Sequence, residues 1–380
     1  MTDTALAAMS NTLFHVAFGL YLAAMIAYFF RLAFTRVSAE GVQASTTAGR
    51  RIGHVGLGLV AVGFTVHLVS FLSRGVVAGR VPWGNMYEYG SGIALLAIGG
   101  ALFLVQRRYG HLMGFVIAGA LLMMTTSLLL FTEAGPLVPA LESYWLQIHT
   151  SAMMFSSSVF IIAFVATALY LVKDHAERKV AHSSTFGGST VGAAEVRILD
   201  GEVEGRVIGD DVDSAEAPAS PTAQRDVLNP LLFPVIPFVV VLTFVLLVWR
   251  APFAAMLAAS AFALIGAGVW YAIPSLPPAA KLDNLAYRTT AFAFPLFTFG
   301  VMCGAIWAEE AWGRYWGWDP KETGSFVTWT LYAAYLHARS TRGWRGPGAA
   351  WVGVIAFTAL MITYYAVNLF IVGLHSYAGV

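Results

Sequence analysis

The chain has 380 residues, of which 58% are hydrophobic and only 11% charged, a balance far from that of a soluble domain and one that puts most of the chain in a bilayer. Its formal net charge of +1 supplies no basic face for nucleic acid. A single cysteine, Cys303, excludes an internal disulfide, a zinc–cysteine cluster and a CxxCH haem-attachment motif within the chain itself.

Runs of roughly 20 apolar residues cross the hydrocarbon core as helices. Such runs are predicted at 11–34, 52–73, 89–105, 111–131, 147–172, 229–249, 251–273, 289–308, 324–339 and 351–373, so the expected fold is an all-α polytopic membrane bundle of about ten helices, eight to ten. The first run follows no basic n-region or cleavage site and is read as a retained helix. Loop charge sets the orientation. Arg31, Arg36, Arg50 and Arg51 follow the first run, Arg107 and Arg108 the third, and Lys173, Arg178 and Lys179 the fifth. Lys281 and Arg288 follow the seventh, and Arg339, Arg342 and Arg345 the ninth. These loops are expected on the cytoplasmic side of the plasma membrane, with both termini and the loops bearing Glu88, Glu133 and Glu142 outside.

Three regions follow from composition. Residues 1–173 are read as N-terminal membrane helices with outer loops. Residues 174–227 read as a flexible cytoplasmic insert, with the acidic run Asp210, Asp211, Asp213 and Glu216, then Pro218 and Pro221, and a small strand pair around 194–208. Residues 228–380 hold the C-terminal helices and an unusual aromatic stretch at 307–323.

The outer loop Gly79–Glu88 is a shaped turn in which Arg80, Asn85 and Glu88 offer polar groups, as structural loop or as ligand rim. The stretch Trp312-Gly313-Arg314-Tyr315-Trp316-Gly317-Trp318-Asp319-Pro320-Lys321-Glu322 is denser. Read as a short outward-facing interfacial helix, it aligns Trp312, Tyr315 or Trp316, and Asp319 on one flat aromatic face, ended by Asp319-Pro320. An aromatic belt at headgroup level is the simpler reading. A charged rim of Glu309, Glu310, Arg314, Asp319, Lys321 and Glu322 suits instead a large planar ligand with ionised edges.

Histidines sort by depth. His149, opening the fifth run, and His375, after the tenth, share the predicted depth of this aromatic stretch, and two neutral imidazoles flanking it suit axial ligation of one haem iron. His337, toward the cytoplasmic end of the ninth run, and His67, in the second, are expected to face the bundle interior with a partner. His15, His54 and His111 sit near helix ends and His175 and His182 in the insert, where solvated or structural roles suffice. No phosphate loop, nucleophile elbow or HExxH motif occurs, which removes ATPase, serine-hydrolase and zinc-protease chemistry.

The stretch from Trp312 through Asp319-Pro-Lys-Glu-Thr resembles the tryptophan-rich WWD signature of haem-handling proteins. Its extension through Trp329 and Tyr332 to His337, together with Gly79–Glu88, Trp145–His149 and Gly373–Tyr377, is similar to the CcsA (ResC) branch of cytochrome c synthesis System II. The resemblance covers 50–170 and 283–380; the long insert and the two runs from 229 to 273 depart from the smaller members. It implies a haem lyase subunit that moves haem b outward, holds it at the WWD domain between His149 and His375, and joins it to the CxxCH thiols of an apocytochrome c. His337 would ligate a deeper haem. Trp312, Trp316, Trp318, Asp319, Arg314, Tyr315, Glu88 and Asn85 would contact haem; no catalytic acid is evident, though Asp319 or Glu322 could orient a propionate-binding Arg314. A CcsB/ResB-like membrane subunit and thiol-reducing proteins are the implied partners. A System I haem lyase or delivery protein, a b-type electron-transfer protein and a plain transporter are the competing readings.

Overall fold

The computed structural model describes residues 3–37, 43–135, 141–187, 197–199, 202–204, 223–249, 252–341, 344 and 346–375. The acidic run 210–216, Pro218, Pro221, Arg342, Arg345 and Tyr377 lie outside the described residues.

Among the described residues ten long helices follow in chain order: α1 (Asp3–Ala33), α2 (Thr47–Ala78), α3 (Met86–Gly100), α4 (Met113–Leu129), α5 (Tyr144–Gly187), α6 (Leu232–Trp249), α7 (Pro252–Ala272), α8 (Ala279–Trp312), α9 (Pro320–Ser340) and α10 (Pro347–Met361). Wider turns at Ala101–Val105 and Ile362–Val367 prolong α3 and α10. All ten predicted runs fall on these helices, and among the described residues eight segments are long and apolar enough to cross a membrane. The chain is therefore a multi-pass helical membrane protein. Helix α9 is not one of the eight: Lys321, Glu322, His337, Arg339 and its threonines lower its hydropathy.

The chain divides into two compact units, one of Met1–Thr35, Ser45–Leu171 and Pro277–Val380, the other of Arg36–Ala44 and Val172–Leu276. In the first, α1 lies against α2 along a seam of small residues, with Gly49, Gly53, Gly56 and Gly63 buried. A Cβ at Gly63 would stand 2.9 Å from the Tyr21 ring and one at Gly56 3.2 Å from Tyr28, so the α1 aromatics occupy the space that α2 leaves open. His67 continues the seam. It is fully buried, 2.9 Å from Ser91 Oγ, as its depth in the second run predicts. A second core joins α5, α8, α9 and α10 through Val159, Phe160, Phe297, Tyr332 and Leu360, with Phe160 and Tyr332 stacked at 3.8 Å.

The second unit holds α6, α7 and a two-stranded ribbon where the strand pair is predicted. Arg197–Leu199 (β1) and Glu202–Glu204 (β2) run antiparallel, with Ile198 opposite Val203. Ala176, Leu228 and Ile273 form its small core, beside which buried Lys173 donates to the Ile273 carbonyl at 2.9 Å and to Gln224.

Candidate functional site

The aromatic stretch is a loop between two helices. Gly313 ends α8 in the left-handed region at φ 71°, its N–H donating to the Glu309 carbonyl at 2.8 Å. Asp319 then caps α9. Glu322 Oε2 accepts from the N–H groups of Gly317 (2.8 Å) and Asp319 (3.0 Å), and Pro320 occupies the first helical position. The interfacial helix expected over Trp312–Asp319 does not form, and Asp319-Pro320 opens a helix where it was expected to end one. The reason is local: Gly313 and Gly317 weaken a helix between them, whereas Asp-Pro-Lys-Glu is a start signal.

This loop sends its aromatic side chains to different surroundings. Trp312 closes α8 with its ring 4.8 Å from both Trp307 and His375. Trp316 lines a cleft; Trp318, held at φ 59°, stands 63% exposed with its ring perpendicular to Trp316. A tryptophan in the left-handed region stores strain of order 1–3 kcal/mol. No single flat platform results.

The cleft lies within the first unit and encloses about 1430 Å³, including space open to solvent. Its walls are largely apolar, with Trp83, Met153, Trp307, Trp316, Leu360 and Tyr364 among them, and its polar groups include His149, His375, Lys321 and Glu322. His149 reaches it from the first turns of α5. Its Nδ1–H donates to the Gly300 carbonyl at 2.7 Å, and its ring covers Gly304, where a Cβ would stand 2.6 Å from Nδ1. The Gly300-x-x-x-Gly304 spacing on α8 thus seats the imidazole and fixes its tautomer, and Nε2 has no hydrogen bond among the described residues.

His375 arrives from the other side, beyond α10. Its Nδ1–H donates to Asp319 Oδ2 at 2.6 Å, while Asp319 Oδ1 accepts the Leu374 N–H at 2.8 Å. Trp307 and Trp312 meet the ring edge-on, with centroids 5.6 and 4.8 Å away. Burial first, then the nearby Lys321 ammonium, pushes the His375 imidazole below its ordinary 6.5 against the pull of Asp319, so the ring is neutral at pH 7. Burial pushes the Asp319 carboxyl up, but the Leu374 N–H and the His375 hydrogen bond outweigh it and hold it below 3.8, ionised.

The remaining predicted residues divide. Tyr315 lines the cleft and is also 62% exposed. Asn85 lines it, with Oδ1 engaged in capping α3 through the Glu88 N–H at 2.9 Å. Glu88 lies outside the lining, in a buried ion pair with Arg74 (3.0 Å) and Arg80 (2.7 Å), while Arg74 also donates to the Thr132 carbonyl. Arg314 lies over Gly317 and 3.6 Å from Glu322, also outside the lining. His337 occupies the exposed face of α9, not the bundle interior expected of it, because Tyr332, Tyr335 and Ala338 take the buried stripe and position 337 falls out of phase. Trp83 and Trp307 line the cleft without having been singled out in the sequence, and Lys321, counted there only in the charged rim, lines it too. Trp83 and Lys321 stood inside the quoted motifs, and only folding distinguishes them from their neighbours.

The fold and the cleft define a multi-pass helical membrane protein with an aromatic cavity flanked by two oriented imidazoles. A family model described as "Cytochrome C assembly protein" matches residues 83–375. The chain belongs to this family, and within it to the CcsA proteins of cytochrome c biogenesis. It is 32% identical to "Cytochrome c biogenesis protein CcsA" of Gloeobacter violaceus, over 99% of this chain and 98% of the relative. The CcsA proteins of Porphyra purpurea and Pyropia yezoensis are 31% and 29% identical, each over 97% of both chains.

Proposed function

We propose that the cleft binds haem b between His149 and His375 at the outer face of the plasma membrane, and that the protein promotes its covalent attachment to the CxxCH thiols of an apocytochrome c. The observation that carries this reading is that both imidazoles line one cavity with Nδ1 committed to a protein acceptor, at 2.7 and 2.6 Å, so that each leaves Nε2 for a metal. The donor set fits haem: two neutral nitrogens, aromatic walls for a planar macrocycle, and no competing cluster of three or more His, Cys, Asp or Glu side chains among the described residues. Bound there, haem would supply vinyl groups to which reduced thiols add as thioethers.

What the chain itself does follows from its residues. Gly300 and Gly304 hold His149 in one orientation; Asp319 does so for His375 and raises its basicity as a ligand. Trp83, Trp307 and Trp316, which line the cleft, exclude water around the ligand and supply stacking area, and Trp312 backs the His375 ring. At the other end of α9, His337 serves a deeper haem on its way outward, with the second axial ligand from a CcsB/ResB-like subunit; its exposure on this chain supports that reading. Thiol-reducing proteins would keep the client cysteines available.

The test is co-expression of the full chain and a candidate partner subunit with a CxxCH reporter, scoring haem that survives denaturation. Covalent haem that requires His149 and His375 is the expected result. Haem that binds through both histidines but never transfers would make the protein a b-type haem carrier.

A further inference from the structure

Lys321 is the cleft's unexplained charge. It sits on the first turn of α9, lines the cavity and, among the described residues, has a single side-chain hydrogen bond, to the His375 carbonyl at a long 3.4 Å. No carboxylate stands within 4 Å of its ammonium among the described residues. Asp319, whose charge acts on it, is taken up by His375 and the Leu374 N–H. Glu322, also in the lining, spends Oε2 on the Gly317 and Asp319 N–H groups beside Arg314, and its buried Oε1, without a hydrogen bond among the described residues, lies more than 4 Å from the Lys321 ammonium. The rest of the lining brings no further carboxylate, only neutral polar groups such as Asn85, Thr150 and Asn368 and the two ligand-type histidines, His149 and His375. A buried ammonium beside a largely apolar cavity, with no carboxylate within 4 Å among the described residues, is costly, and a ligand that brings an anion lowers the cost.

We infer that Lys321 binds a carboxylate of the cleft ligand. This rests on the haem reading, in which that group is a propionate. Arg314, the propionate partner suggested by the sequence, has its guanidinium against Glu322 and Gly317 instead. Holding the carboxylate edge at the first turn of α9 directs the opposite, vinyl-bearing edge away from that helix. Lys321 is then a positioning residue for the thiol addition.

The full chain in detergent is titrated with haem and with haem dimethyl ester, whose carboxylates are masked, following the absorbance that depends on His149 and His375. The wild type should bind the free acid roughly 10- to 100-fold more tightly than the ester. Lys321→Met should lose that preference while binding the ester as the wild type does, which also shows that it is folded; Lys321→Arg should keep much of the preference. Should Lys321→Met fail to fold, Lys321→Gln serves in its place. A preference undiminished in the neutral variants, or absent from the wild type, overturns the inference and leaves the haem site standing. A wild type showing no histidine-dependent spectrum with either compound removes the haem reading and this inference with it.

Discussion

The two ends of α9 treat histidine in opposite ways. At its N-terminus, Asp319 caps the helix and holds His375, which shares a cavity with His149. At its C-terminal end His337 stands on the exposed face, with neither an orienting acceptor for its ring among the described residues nor a place in the cavity lining. A ligand pair needs two oriented nitrogens and a space between them. On the proposed function this chain completes one such arrangement alone and offers half of another, so the first should survive isolation of the chain and the second should require a partner.

The largest expected effect comes from removing either proposed axial ligand. His149→Gly or His375→Gly should abolish bis-imidazole absorbance and reporter maturation, and added imidazole should restore both. The double variant should be little worse than either, because the pair acts as a unit. Spectra and maturation insensitive to both substitutions would dissolve the contrast between the two ends.

Gly304→Ala comes next, since its Cβ would stand 2.6 Å from His149 Nδ1 and the ring must shift. A displacement of about 1 Å at a reacting centre costs on the order of 100-fold, read here as reporter maturation at unchanged expression. Asp319→Asn should lower haem affinity by roughly 10- to 100-fold and shift the reduction potential of the bound haem, leaving the His149 side intact. A variant that loses helix stability with no change in potential would reduce Asp319 to a cap.

Acid gives a smaller, graded effect. As a proposed ligand His375 must be neutral, and its buried ring is held below 6.5, so ligation should fail at a lower pH than it would for an unperturbed histidine. Asp319, depressed below 3.8, adds stability that is present above its unfolded value and lost as pH falls through its folded one. Both groups therefore weaken the site on the acid side only, measurable as absorbance and unfolding against pH. Asp319→Asn removes the pull that raises the His375 value, so the midpoint of its protonation should move down even as affinity falls. The smallest effect is expected of His337→Ala, which should leave haem binding by the isolated chain unchanged and lower it only when the partner subunit is present.

Much of this was legible in the chain. Apolar length determined most of the helices, because a bilayer leaves backbone groups no other partners, and all ten predicted runs fall on helices. Loop charge and depth put His149 and His375 on one level, and the Asp-Pro-Lys-Glu start signal was present but was read as a stop. What the sequence could not determine was direction. Whether Glu88 or Lys321 faces the cleft, whether Asp319 serves Arg314 or His375, and whether three tryptophans share a plane depend on where α5, α8 and the segment beyond α10 converge. Those contacts join residues 149, 304, 319 and 375, which local periodicity cannot relate. Tertiary packing alone decides them, because a buried polar group takes the partner that the fold brings within hydrogen-bonding distance.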